Sequence, residues 1–265
     1  MSLLLKNHAP DQNGLVHKVT PESAGWTYVG FEVHRLNQGQ RVEGATGDWE
    51  ACLVLVAGKA RFTAGGRDVG ELGGRMTPFE GRPHSLYLPP GTPWRAEATT
   101  PLELAVCLAP GGGDHPLRVI GPDDVATSTR GQATNTRHVA DILPETDPGA
   151  KSLLVVEVIT PSGCWSSYPP HKHDQDNLPD ESFLEETYYH RFDPPQGFGF
   201  QRVYTDDRSL DETMTIEDGD VTLVPKGYHP CGAAHGYDLY YLNVMAGPTR
   251  AWKFNTEKQH RWLLA

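Results

Sequence analysis

Residues 169–192 read PPHKHDQDNLPDESFLEETYYHRF, with His171 and His173 two apart and a doubled acid, Glu185 and Glu186, after the hydrophilic, loop-like stretch DQDNLPDESFL. In an extended chain residues i and i+2 face the same side, so the two imidazoles project together and Lys172 projects away. Pro169 and Pro170 favour that extended conformation over a helix. Two imidazoles side by side on an inner face pack poorly, because each has ring nitrogens to satisfy. As ligands of a divalent metal they fit, since neutral imidazole suits zinc, manganese, iron or nickel.

A carboxylate and a third histidine complete such a site. Alternation in EETYYHRF sets Glu186, Tyr188 and His190 on one face and Glu185, Thr187 and Tyr189 on the other, so one acid coordinates while its neighbour points elsewhere. Periodicity alone does not decide between Glu185 and Glu186. His229, just past the turn PKG, returns from a distant part of the sequence, with His235 in the glycine-rich AAHGYD as its competitor. Three histidines and one glutamate leave positions open for water or substrate, as a catalytic metal requires. His84, His138 and His260 have no such partners in view.

These residues need strands to carry them. ACLVLVAGKARFTAGG, HSLYLPPGTPWRAEA and LELAVCLAPGG form one strand-rich stretch, and KSLLVVEVITPSG through YDLYYLNVMAGP forms a second. Both contain an apolar strand running into Pro and Gly, LYLPPGTP at 86–93 and TLVPKGYHP at 222–230, which points to two copies of one β-domain. Between them, GGGDHPLRVIGPDDVATSTRGQATNTRHVADIL reads as a polar linker with little strand character. The first copy has no His-x-His and carries Thr92, Pro93 and Trp94 where the second has Tyr228, His229 and Pro230, so the first half reads as structural. The terminal EKQHRWLLA reads as packing.

Composition narrows the function. Among 265 residues, 28 glycines and 22 prolines suit many turns between short strands, and helical periodicity is weak throughout. The net charge of −11 argues against a non-specific nucleic-acid or anionic-membrane binder. No apolar run is long enough to span a membrane and MSLLLKNHAPDQNG lacks a signal peptide's core, so a cytoplasmic protein is expected. Cys52, Cys107, Cys164 and Cys231 lie far apart, which suits free thiols rather than a disulfide scaffold.

The order His-x-His, Glu, then G-x5-P-x-G and His (Gly219, Pro225, Gly227, His229) resembles the two signature motifs of the cupin superfamily. It departs from them in the stretched His-to-Glu spacing and in one residue, not two, between Gly227 and His229. The fuller strings WSSYPPHKHDQDNLPDESFLEETYYHRF, GFQRVYTDDRSLDE and PKGYHPCGAAHGYDLYYLNVMAGPTRAW are similar to the 5-deoxy-glucuronate isomerases of bacterial myo-inositol catabolism. Those are relatives of the 4-deoxy-threo-hexosulose-uronate ketol-isomerases of pectin breakdown. The resemblance spans nearly the whole chain and is strongest from residue 137 onward.

That resemblance implies an all-β bicupin of two tandem double-stranded β-helix (jelly-roll) barrels. Residues 1–120 would form an N-terminal half without metal ligands and 121–265 the metal-binding catalytic half, with a homo-oligomer, at least a dimer, as the assembly. It implies ligands at His171, His173, Glu186 and His229 for a divalent ion, zinc or manganese foremost and iron or nickel after them. The implied reaction interconverts 5-deoxy-D-glucuronate and 5-dehydro-2-deoxy-D-gluconate by moving a proton between neighbouring carbons through an enediolate, whose charge a metal stabilises. Glu185 and Tyr241 are the candidate catalytic groups. Tyr204 and Asn243 are candidates for lining the pocket, and Lys172, Arg202, Lys226, Arg250 and Lys253 are eligible for the substrate carboxylate. A different sugar-acid isomerase, a metal-dependent dioxygenase and a non-catalytic sugar-binding cupin are the competing readings.

Overall fold

The structure, a computed structural model, describes residues 2–264. Among the described residues the fold is all-β apart from one four-residue helix, Pro21–Ala24, and short 3-10 turns. The chain forms two compact units, one of His8–Ala126 and Asp141–Val155, the other of Met1–Asn7, Thr127–Ala140 and Val156–Ala265. The units therefore do not divide the sequence at a single point.

In the first unit a six-stranded sheet runs in the order Arg118–Ile120, Ser85–Leu88, Trp49–Ala57, Leu102–Pro110, Gly30–Leu36, Leu15–Val19. A four-stranded sheet has the order Arg41–Ala45, Pro93–Ala98, Lys59–Ala64, Arg67–Gly73. Their inner faces meet in one core that includes Leu53, Leu55, Phe62, Leu86, Trp94, Ala96 and Leu104. Apolar side chains fill this interior, Trp94 among them, so it offers no cluster of imidazoles to an ion. Glu50 is fully buried behind that core. Its carboxylate accepts the Tyr87 hydroxyl at 2.6 Å and the backbone N–H groups of Lys151, Ser152 and Leu153 at 2.8, 2.6 and 2.7 Å, which fastens the returning segment to the unit.

In the second unit a seven-stranded sheet runs Leu4–Leu5, Val221–Val224, Glu185–Asp193, Asp238–Ala246, Leu154–Thr160, Arg137–Leu143, Ala126–Arg130. A four-stranded sheet runs Trp165–Ser166, Cys231–Ala233, Phe198–Tyr204, Asp211–Glu217. The central pair Glu185–Asp193 and Asp238–Ala246 is antiparallel and in register over nine residues, setting Tyr188 opposite Asn243 and His190 opposite Tyr241.

Three local expectations change. The supposed linker contains strands Arg118–Ile120, Ala126–Arg130 and Arg137–Leu143. Ala126–Arg130 is a sheet edge whose side chains are mostly exposed, so its polar composition hides a strand whose pairing comes from its neighbour. The hydrophilic break after His173 is a hairpin of Asp174–Asn177 with Glu181–Phe183. The C-terminal tail packs only at its start: Glu257 is buried, whereas Trp262 is 71% and Leu264 63% exposed. All four cysteines are free, and no helix of the described residues is long and apolar enough to cross a membrane.

Candidate metal centre

Each element delivers one donor. His171–Lys172 is held extended by pairing with Asn255–Thr256, and His173 follows it, its carbonyl accepting from Leu184 N–H at 2.9 Å. Glu186 stands near the start of its long central strand. His229 is fixed on both sides by backbone bonds: Tyr204 and Tyr228 exchange N–H···O bonds of 2.9 and 2.8 Å, and Arg202 N–H donates to Pro230 at 3.1 Å. The turn that leads to it requires glycine, because Gly227 has φ +88° and a Cβ there would lie 2.4 Å from the Tyr204 carbonyl oxygen.

His173, Glu186 and His229 are all buried, and their donor atoms lie within 4.8 Å of one another. His173 Nδ1 is 3.2 Å from the Leu184 carbonyl and His229 Nδ1 is 2.8 Å from the Gly227 carbonyl. A carbonyl only accepts, so each Nδ1 carries the hydrogen, which in a neutral ring leaves Nε2 bare. Both Nε2 atoms face the same carboxylate oxygen, Glu186 Oε2, at 3.1 and 3.3 Å. His173 Nε2 shares a hydrogen bond with that oxygen, whereas His229 Nε2, buried and facing it, makes none. A divalent cation among them would supply the missing positive charge.

Protonation equilibria follow the same logic. Burial, followed by the charges of His173 and Arg137, pushes the His171 pKa down to about 3. Burial likewise pushes His229 down to about 3 against the pull of Glu186. Burial also opposes protonation of His173, but the hydrogen bond and charge of Glu186 outweigh it and raise its pKa. His171 lies beside the triad rather than within it, with ring centroids 5.2 Å from His229 and 4.5 Å from Phe254.

A cavity of about 500 Å³, its open mouth included, is lined by His171, His173, Glu186, Tyr188, Tyr241 and Asn243. Tyr241 and Ser166 share a hydrogen bond of 2.5 Å, Tyr188 and Ser167 one of 2.8 Å. Burial raises both phenol pKa values, so both hydroxyls are protonated donors. The Asn243 amide donates to the Thr187 carbonyl at 3.3 Å.

The other sequence candidates stand elsewhere. Glu185 is buried on the opposite side of the pleat from Glu186 and does not line the cavity. Lys172 points away, bonded to Asp174 at 2.9 Å and Asp206 at 2.7 Å. Arg202 pairs with Asp211 at 2.7 Å and covers the Tyr204 ring, while the Tyr204 hydroxyl donates to Glu257 at 2.6 Å. Lys226, Arg250, Lys253 and His235 do not line the cavity either. The guanidiniums that do are Arg130 and Arg137, joined by Val139, Val158, Trp252 and Phe254. Sequence reasoning missed both arginines because they lie in the stretch taken for a linker. The alternation of Arg137 and Val139 on one face was the available signal.

A family model described as the KduI/IolB family matches residues 3–263. A curated 5-deoxy-glucuronate isomerase of Geobacillus kaustophilus is 56% identical over 99% of this chain and 95% of its own length. The crystal structure of an IolB-like protein from Salmonella typhimurium superposes with a TM-score of 0.96 at 50% identity, covering 100% of both chains. Lactobacillus farciminis oxalate decarboxylase is similar in fold alone, with a TM-score of 0.68 at 14% identity over 98% of this chain and 89% of its own. That neighbour agrees with the cupin fold expected from the sequence.

Proposed function

The chain belongs to the KduI/IolB family, and on that footing we propose that it interconverts 5-deoxy-D-glucuronate and 5-dehydro-2-deoxy-D-gluconate, an aldose–ketose isomerisation in myo-inositol catabolism. The observation that carries the placement of the reaction is the buried triad His173, Glu186 and His229, with an orphaned imidazole nitrogen aimed into it. These three side chains would hold a divalent ion, with His171 beside them as the fourth ligand. The ion supplies Lewis acidity toward a carbonyl and its neighbouring hydroxyl.

The remaining work falls to the chain. Tyr241, protonated and held by Ser166, gives a hydrogen bond to a substrate oxygen. Tyr188 and Asn243 bound the same space and orient the hydroxyls. Glu185, across the pleat, has no part in this reading. Two valines, Trp252 and Phe254 keep the wall apolar, which strengthens each polar contact inside it.

The test combines metal content with turnover, followed by NMR on the uronate. Wild type converts the aldose anaerobically without oxygen uptake, and the His171→Ala/His173→Ala double variant loses both bound metal and turnover. Full activity with unchanged metal in that variant rejects the site. Oxygen uptake coupled to turnover rejects the isomerase.

A further inference from the structure

The substrate named above is an acid, and its carboxylate needs a cation that the protein has not already neutralised. Two of the candidate cations discussed so far are spent on protein carboxylates, Lys172 on Asp174 and Asp206 and Arg202 on Asp211, and Lys226, Arg250 and Lys253 do not line the cavity. Arg137 differs. Its Nη1 donates to the carbonyls of Asn135 and Tyr168, each at 3.1 Å, and it forms no ion pair among the described residues. Its Nε and Nη2 have no protein acceptor among the described residues. Those two atoms form the guanidinium edge that offers two parallel N–H groups to a carboxylate.

We propose that Arg137 is the carboxylate seat of the active centre, so that the sugar acid lies with its anionic end on this guanidinium and its carbonyl end at His173, Glu186 and His229. This rests on the isomerase reading above and adds the substrate's polarity to it.

The local structure is built for that role. A Cβ at Gly131 would lie 2.2 Å from the Asn135 carbonyl oxygen and 2.8 Å from Arg137 Nη1, so the turn leaves room for the anchored guanidinium only as glycine. One edge is thus fixed by backbone and the other is presented ready-made, which limits the side-chain entropy lost on binding. Val139, two residues along on the same face, and Val158 line the cavity with it. Apolar neighbours exclude water that would otherwise screen an ion pair. Arg130 adds a second positive charge to the cavity, its guanidinium 5.5 Å from the Trp252 ring centroid. In a protein of net charge −11, two arginines beside one acid make this cavity a local attractor for an anion.

The experiment compares two substrates on the metal-loaded enzyme: 5-deoxy-glucuronate and its neutral analogue, in which the carboxylate is reduced to a primary alcohol. Wild type is expected to favour the acid by about 100-fold in kcat/KM, the order expected when a buried charge pair loses one partner. Arg137→Gln is expected to lose that preference: turnover of the acid falls by about 100-fold while turnover of the alcohol changes by less than about threefold. A variant that keeps the wild-type preference overturns the proposal while leaving the isomerase standing. A wild type that converts neither compound overturns both. Should Arg137→Gln fail to fold, wild type is treated with phenylglyoxal and mapped by mass spectrometry. Protection of Arg137 by the acid and not by the alcohol supports the seat, and equal labelling with and without the acid overturns it.

Discussion

Stripping the divalent ion with a chelator is expected to destabilise the protein by an amount that the triad geometry sets. Without the ion, His229 Nε2 is buried 3.3 Å from Glu186 Oε2 and makes no hydrogen bond. An unsatisfied buried polar atom costs roughly 1–3 kcal/mol, and coordination relieves that cost at the His229 ring. The same quantity is reached from the binding side: an ion present at a hundred times its dissociation constant stabilises the fold by about 2.7 kcal/mol. At about 2–4 °C per kcal/mol for a chain of this size, the midpoint falls by about 5–11 °C. Scanning calorimetry of the protein as purified, after chelation and after zinc or manganese is restored measures this directly. In His229→Ala the three traces are expected to coincide. Three coinciding traces for wild type, with no stoichiometric metal by elemental analysis, would refute the argument that the triad awaits a cation.

Two further outcomes concern the first unit. The hydrogen bond from His34, opposed by burial and aided by Lys18, holds the Glu32 carboxyl at about 2. A depressed acid stabilises the fold above its ordinary value of 4.5, and that contribution is lost as pH falls from there through about 2. Discounted for solvent screening it amounts to about 1–2 kcal/mol, so Glu32→Gln should flatten the acid limb of the urea midpoint, and a limb as steep as wild type's counts against it. Glu50→Ala strands the Tyr87 hydroxyl and three backbone donors. At the lower bound of about 1 kcal/mol each this costs about 4 kcal/mol, and a loss under about 1 kcal/mol in urea unfolding contradicts the role given to that carboxylate.

How much of this was legible depended on whether the signal was local. His171 and His173 were readable because strand alternation needs no partner, and Lys172 does point away from them. That one of the paired acids and His229 would face a common space was readable, because the pleat and the Pro-x-Gly turn each fix a direction. Which of Glu185 and Glu186 faces the cavity was not, since register is set by Val221–Val224 and Asp238–Ala246 on either side. Arg130 escaped notice because a polar edge strand has the composition of a linker, and Arg137 because it opens the neighbouring strand within that same stretch. The carboxylate candidates named instead were surface or paired cations whose partners, Asp174, Asp206 and Asp211, no spacing rule reveals.

The pairing of Leu4 with Thr222 and of Leu5 with Val221 has a consequence for the order of synthesis. The dipeptide is synthesised more than 200 residues before its partner strand. At about 5–20 residues per second, that interval is about 10–40 s. Throughout it Leu4–Leu5 has no native strand to join, although the residues synthesised after it can already fold. Closing this edge is among the last steps of maturation, and until it happens the newborn chain offers an open strand to its neighbours on the polysome.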